Sequence, residues 1–343
     1  MNDYMRKVRK RNQSLLIVEG NHEKNKLYWL LFHCFPEINI RMDDIWIYGT
    51  NIYMLYKDIE KQYGSEWGDS YEDIDLPFVI SKKQNLELLR YKEDFTNIIL
   101  VFDYERHDDN FSEEKILKMQ KYFSDATDMG KLYINYPMIE SYQHLKMLPD
   151  NQYINRTIPV SLQPGKEYKA LVREETVIAK VIEVPHKIEN LLDERFGVCE
   201  EHMRKKCCKS ILDICDAADM DNKIQGILYG VVEDANLQTA KYQIKDIIIK
   251  LGYVHNGQTY WNYMRSIFIQ IIYHNICKAN KIQNNQDEIE ETEIKQCFEE
   301  LDLTEILRVQ NMTSQDAYTG YIWVLNTCVF FVPEYNFALV AVI

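Results

Sequence analysis

Apolar residues in the first part of the chain come in short unbroken runs separated by stretches of helical spacing. The runs are Leu15-Leu16-Ile17-Val18, Ile45-Trp46-Ile47-Tyr48 and Ile98-Ile99-Leu100-Val101-Phe102, and Leu132-Tyr133-Ile134-Asn135-Tyr136 adds a fourth strand-like stretch broken only by Asn135. A run that is apolar at consecutive rather than alternate positions fits a strand covered on both faces. Between the first two, Leu27, Leu30, Leu31 and Cys34 recur at helical spacing, which predicts a helix over residues 22–35 that Pro36 ends. A second helix is expected over residues 52–63. Ser112, followed by Glu114 and Lys115, opens a third that reaches about Phe123. Residues 64–76 read as a loop, and Phe78-Val79-Ile80 as a small extra strand. This alternation predicts an α/β domain, a mostly parallel sheet flanked by helices, with its ligand site at the carboxyl ends of the strands.

The pattern changes after about residue 150. Residues 151–186 mix Thr and Val with charges around Pro164-Gly165 and read as a hairpin-like or irregular connector. Helical periodicity dominates 187–218, 236–251, 258–280 and 291–310. The expected organisation is therefore an α/β domain over 1–150 and a mostly α-helical domain over 151–343. The runs Ile322-Trp323-Val324-Leu325 and Val329-Phe330-Phe331-Val332 are expected to pack into the helical domain or a homo-oligomer interface, because exposing both would leave a large apolar patch. Asn326, Pro333, Glu334 and Asn336 interrupt this region, which argues against a membrane span.

Charge narrows the functional classes. The 343 residues carry 40 Lys and Arg against 53 Asp and Glu, a net charge of −13. Such a chain does not coat nucleic acid by bulk charge. A nucleic-acid partner requires a local basic patch or metal ions held by carboxylates. Arg6, Lys7, Arg9, Lys10 and Arg11 form a dense basic run just before the first strand. The 8 cysteines are spread along the chain without a secretory signal pattern, so reduced thiols and a cytoplasmic location are expected. Cys199 and His202, with Cys207, Cys208 and Cys215, lack the paired knuckles of a structural zinc site. No G-x-x-x-x-G-K-[ST] occurs, so the chain is not itself an ABC-type ATPase.

The carboxylates carry the chemistry. Glu19 ends the first apolar run, Asp103 and Glu105 end the strongest one, and Glu140 lies just past the last. In a parallel sheet these positions share one edge. Alternation along an extended chain would point Asp103 and Glu105 the same way. Any single acid at a strand end is more often a surface residue. The ordered set of Glu19, Asp103 and Glu105 instead favours grouped oxygen ligands, which suit Mg2+ or Mn2+ and phosphoryl chemistry. On the same loop, Arg106 is a candidate phosphate contact and His107 a candidate proton shuttle. Lys82 and Lys83 are lesser candidates for phosphate.

Leu16-Ile17-Val18-Glu19-Gly20, then Tyr48-Gly49, then Val101-Phe102-Asp103-Tyr104-Glu105 resembles a TOPRIM domain over about residues 13–148. Tyr136-Pro137-Met138-Ile139-Glu140-Ser141-Tyr142 resembles the Ile-Glu-x-Tyr region of OLD-type and related defence-associated TOPRIM nucleases. The resemblance implies a TOPRIM-like fold and a metal-dependent nuclease acting on DNA or RNA in bacterial anti-phage defence, with a separate ATPase partner. It implies Glu19 as metal ligand or general base, Asp103 and Glu105 as ligands, and Glu140 as an accessory acid. Glu105 is one methylene longer than the second aspartate of the family's Asp-x-Asp. Since some TOPRIM domains do no chemistry, the alternative is a non-catalytic binding or regulatory subunit.

Overall fold

A computed structural model describes residues 14–68, 73–286 and 289–341. The basic run of Arg6, Lys7, Arg9, Lys10 and Arg11 lies outside the described residues. Strands β1 (Ser14–Val18), β2 (Ile45–Ile47) and β3 (Asn97–Asp103) form where the apolar runs predict them. A two-residue strand, β4 (Ser124–Asp125), precedes β5 (Gly130–Tyr136). The parallel order is β2-β1-β3-β5, and β4 runs antiparallel to β5. Leu15, Leu16, Ile17 and Val18 are wholly buried, as strands covered on both faces require. Val18 faces both Ile47 and Val101, so the chain leaves β1 at Glu19 beside the end of β3.

Helices cover the sheet. The first opens as a wide π-turn over Glu23–Tyr28 and continues as α1 (Trp29–Cys34). Next come α2 (Ile52–Tyr63), α3 (Leu76–Lys83) and α4 (Glu113–Tyr122). Asn51 caps α2 by accepting the Met54 N–H, and Ser112 caps α4 by accepting that of Lys115. The extra strand expected at Phe78-Val79-Ile80 is instead the middle of α3. A three-residue apolar run does not separate strand from buried helix. Here the Asp75 cap and Pro77 in the first turn decide for helix.

Beyond residue 150, β6 (Thr157–Pro159) and α5 (Lys169–Glu175) structure the expected connector. They are followed by α6 (Val177–Ile182), α7 (Val184–Asn190), α8 (Glu201–Leu212), α9 (Met220–Leu228), α10 (Asp234–Ile249) and the long α11 (Tyr260–Asn284). The pattern over 291–310 divides into α12 (Ile294–Glu299) and α13 (Leu303–Thr313), because Asp302 caps a new helix through the Thr304 and Glu305 amides. The chain then returns to the sheet. β7 (Tyr321–Trp323) pairs with β6, and β8 (Leu325–Asn326) adds antiparallel to β5. Val329, Phe330 and the start of α14 (Phe331–Tyr335) are buried behind it. The Thr327 hydroxyl donates to the Ile134 carbonyl of β5 at 2.8 Å. Of the late apolar runs, only Leu325 extends the first sheet, while Ile322 and Trp323 pair with β6 in a separate two-stranded sheet, and one continuous apolar core extends from Leu15 to Val340. No helix among the described residues is long and apolar enough to cross a membrane.

Candidate metal centre

The site is built where β1 and β3 end. The Tyr48 amide donates to Val18 O at 2.8 Å and the Gly49 amide to Glu19 O at 2.9 Å, which carries the β1–β2 ladder one step past the strands and fixes the Glu19 backbone. Gly49 makes this turn at φ +88, a conformation open to glycine. The Asp103 amide donates to Glu19 Oε2 at 3.3 Å. One carboxylate oxygen from each of Glu19, Asp103 and Glu105 lies within 4.8 Å of the others.

Glu105 arrives by a different route from the one expected. β3 ends at Asp103, and Glu105 sits at φ +51 in the left-handed region. Its carbonyl accepts the Asp108 amide at 3.0 Å. A turn, not strand alternation, brings its carboxylate back to Asp103.

Two carboxylates as buried as Asp103 flank this set. Glu23, 5% exposed, lies in the π-turn of the first helix and accepts the Gly20 amide at 2.9 Å. Glu140, also 5% exposed, lies in the short 3-10 turn Ile139–Gln143 past β5. Its Oε1 is 3.2 Å from Lys169 Nζ at the start of α5 and 3.6 Å from His22 Nε2. Burial pushes the His22 pKa below its ordinary value despite Glu140, so Lys169 is the cation of this corner. Sequence reasoning missed Glu23 and Lys169. Glu23 carried a faint signal, an acid one turn past Glu19-Gly20. Lys169 carried none, since only the fold returns α5 to this edge.

The electrostatics are lopsided. Burial first, then the carboxylates of Glu19, Glu23, Glu140 and Glu105, push the Asp103 pKa well above the ordinary carboxylate range. Glu19 is pushed up to about 8 by burial, Glu105 and Glu23, against the Asp103 amide and Lys169. Burial raises Glu23, and burial with Asp108 raises Glu105. Asp103 Oδ1 and Glu140 Oε2 are buried with no hydrogen-bond partner among the described residues. Such a group needs a proton or a cation. Oxygens sharing one Mg2+ lie at most about 4.2 Å apart. A spread of 4.8 Å therefore closes onto an ion with little movement, and hard, all-oxygen donors fit Mg2+ or Mn2+.

The other candidates point elsewhere. Arg106 donates through Nη2 and Nε to the Ser314 carbonyl at 3.0 and 3.2 Å, with its guanidinium 4.3 Å from the Phe111 ring centre. His107 bonds through Nε2 to the Val160 carbonyl. Lys82 donates to Gln62 at 2.7 Å. Lys83 pairs with Asp58 at 3.1 Å over the Tyr48 ring. None of the four joins the carboxylate group. No protein-family model matches this chain, and no curated protein or solved structure matches it either.

Proposed function

We propose that this chain is a metal-dependent nuclease of TOPRIM type, hydrolysing phosphodiester bonds in DNA or RNA, with Mg2+ or Mn2+ held by Glu19, Asp103 and Glu105. The observation that carries this reading is a carboxylate group at the carboxyl edge of a parallel sheet, in which half-buried Glu19 and Glu105 gather beside the buried, unpartnered oxygen of Asp103. Structural charges are normally buried with their partners, and perturbed acids gather where chemistry is done. The resemblance of the Glu19, Gly49, Asp103 and Glu140 segments to defence-associated TOPRIM nucleases adds the substrate class, a role in anti-phage defence and a separate ATPase partner.

A divalent ion bound here supplies Lewis-acid polarisation of a phosphoryl oxygen and a lowered pKa for bound water. The chain supplies the rest. Without metal, burial and the neighbouring carboxylates hold the Glu19 pKa up to about 8, so binding an ion there would release that proton as Glu19 becomes a ligand. Lys169, steered by Glu140, brings an ammonium to neutralise charge gathering on phosphate oxygens. Substitution of Lys169 by Met is expected to slow cleavage by about 100-fold, the scale for losing one charge-stabilising donor.

The test incubates the protein with plasmid, linear DNA and total tRNA in Mg2+ or Mn2+, beside folded Glu19→Ala and Asp103→Ala variants. Cleavage by the wild type that both variants lose supports the reading and names the substrate. Metal binding without cleavage points to a nuclease awaiting its partner. Absence of both leaves the non-catalytic subunit and removes the nuclease.

A further inference from the structure

Past β3, neighbouring side chains part company. Glu105 joins Glu19 and Asp103, while Tyr104 and Arg106 on either side of it reach the end of α13. The Tyr104 hydroxyl donates to Asn311 Oδ1 at 2.7 Å and lies 3.0 Å from Ser314 Oγ. Its ring is wholly buried, edge-on to Phe111 and tilted against Tyr136. Arg106 closes on the Ser314 carbonyl just past the last turn of α13, where a helix presents unpaired carbonyls and favours a cation. On the far side of the loop, Asn51 donates to Asp108 at 2.6 Å. The loop is tied at both sides, and Glu105 between the ties holds a left-handed backbone that a glutamate does not adopt by preference.

We propose that Tyr104 and Arg106 are positioning residues that, braced on the carboxyl end of α13, hold Glu105 in its left-handed turn and so keep its carboxylate against Glu19 and Asp103. The force they resist is electrostatic and conformational. Like charges in a partly buried group repel, and a free Glu105 would relax to negative φ and swing its carboxylate toward solvent. The consequence for metal binding rests on the proposed nuclease site, while the positioning itself does not. Because α13 lies some 208 residues from Arg106 along the chain, the late helical region sets the geometry of a ligand on the first sheet.

The test uses the full chain with Tyr104→Phe, which keeps the buried ring, and Arg106→Gln, each alone and with Glu105→Gln. Hydrogen exchange at the Asp108 amide, which bonds to the Glu105 carbonyl, reads the turn without metal. Electron paramagnetic resonance of free Mn2+ reads affinity. We expect each variant to speed Asp108 exchange while β3 amides keep their protection. We also expect Mn2+ affinity to fall by about tenfold, the scale for a ligand losing its supporting hydrogen bonds. In the Glu105→Gln background the further loss should be under about twofold, because both changes act through one residue. Unchanged Asp108 exchange in both variants overturns the proposal, as does an equal Mn2+ loss with and without Glu105. Faster Asp108 exchange in a wild-type protein background that binds no Mn2+ would instead sink the metal site and uphold the positioning.

Discussion

Asp103 and Asp150 are both nearly sealed from solvent, 5% and 2% exposed, yet they sit in opposite surroundings. Asp150 accepts the Lys146 amide at 2.7 Å, Arg156 Nη1 at 2.8 Å and the Gln152 amide at 3.1 Å. Burial alone would raise its pKa, but the guanidinium and the amides hold it below the ordinary range. Arg156 also donates to the His144 carbonyl at 2.6 Å, and the buried Lys278 of α11 donates to the Tyr153 carbonyl at 2.7 Å. This second cluster ties the segment after β5 to α11. Asp103 has the same burial, no ion pair among the described residues, and an unpartnered oxygen. Burial of a charge is therefore no sign of function by itself. The informative difference is whether the fold supplies the partner.

The largest contrast should come from removing each charge. Asp103→Asn is expected to abolish Mn2+ binding and Mn2+-dependent cleavage, while the metal-free protein keeps or gains stability as repulsion is relieved. Calorimetric titration and urea unfolding check the two halves. Asp150→Ala should do the reverse. It strands Arg156 and should cost about 3–5 kcal/mol of stability in urea, the scale for breaking a buried pair, with Mn2+ affinity of the folded fraction unchanged. If Asp103→Asn destabilises as Asp150→Ala does, the two clusters are the same kind of thing and the distinction fails.

A pH series sharpens the comparison. Glu19 keeps its proton to about pH 8 in the fold against an ordinary value of 4.5, so over that window the native state binds more protons than the unfolded chain. Stability of the metal-free protein must then fall as pH rises through the window, and Asp103 acts in the same direction. Melting temperature measured without metal from about pH 5 to about pH 8 should decline. Mg2+ at about 100 times its dissociation constant should restore about 2.7 kcal/mol. A flat metal-free profile would mean that these carboxylates are not held together in solution. The smallest effect is expected for Lys82→Ala, an exposed charge belonging to neither cluster. Its stability should stay within about 0.5 kcal/mol of wild type by urea unfolding.

Much of the site was legible before the fold. Glu19, Asp103 and Glu105 stand at the ends of apolar runs, and a parallel sheet puts such ends on one edge. Glu140 follows by the same logic. Arg106 and His107 were not legible, because loop position says nothing about which way a side chain turns. Their partners, Ser314 and Val160, lie 208 and 53 residues away in the chain. Lys169 was hidden for the same reason, as one cation among 40 until α5 packs at the sheet edge.

By itself the sequence determined the parallel strands, the helices between them and the carboxylates that end them. Those features depend on local periodicity and on side chains within a few positions of one another. Only the tertiary structure decided that the late run at Leu325-Asn326 joins the first sheet and that Glu105 is held by a turn braced on α13. Each of these turns on long-range partners, and a short apolar run or a lone charged residue is compatible with several until the fold brings one of them within contact distance.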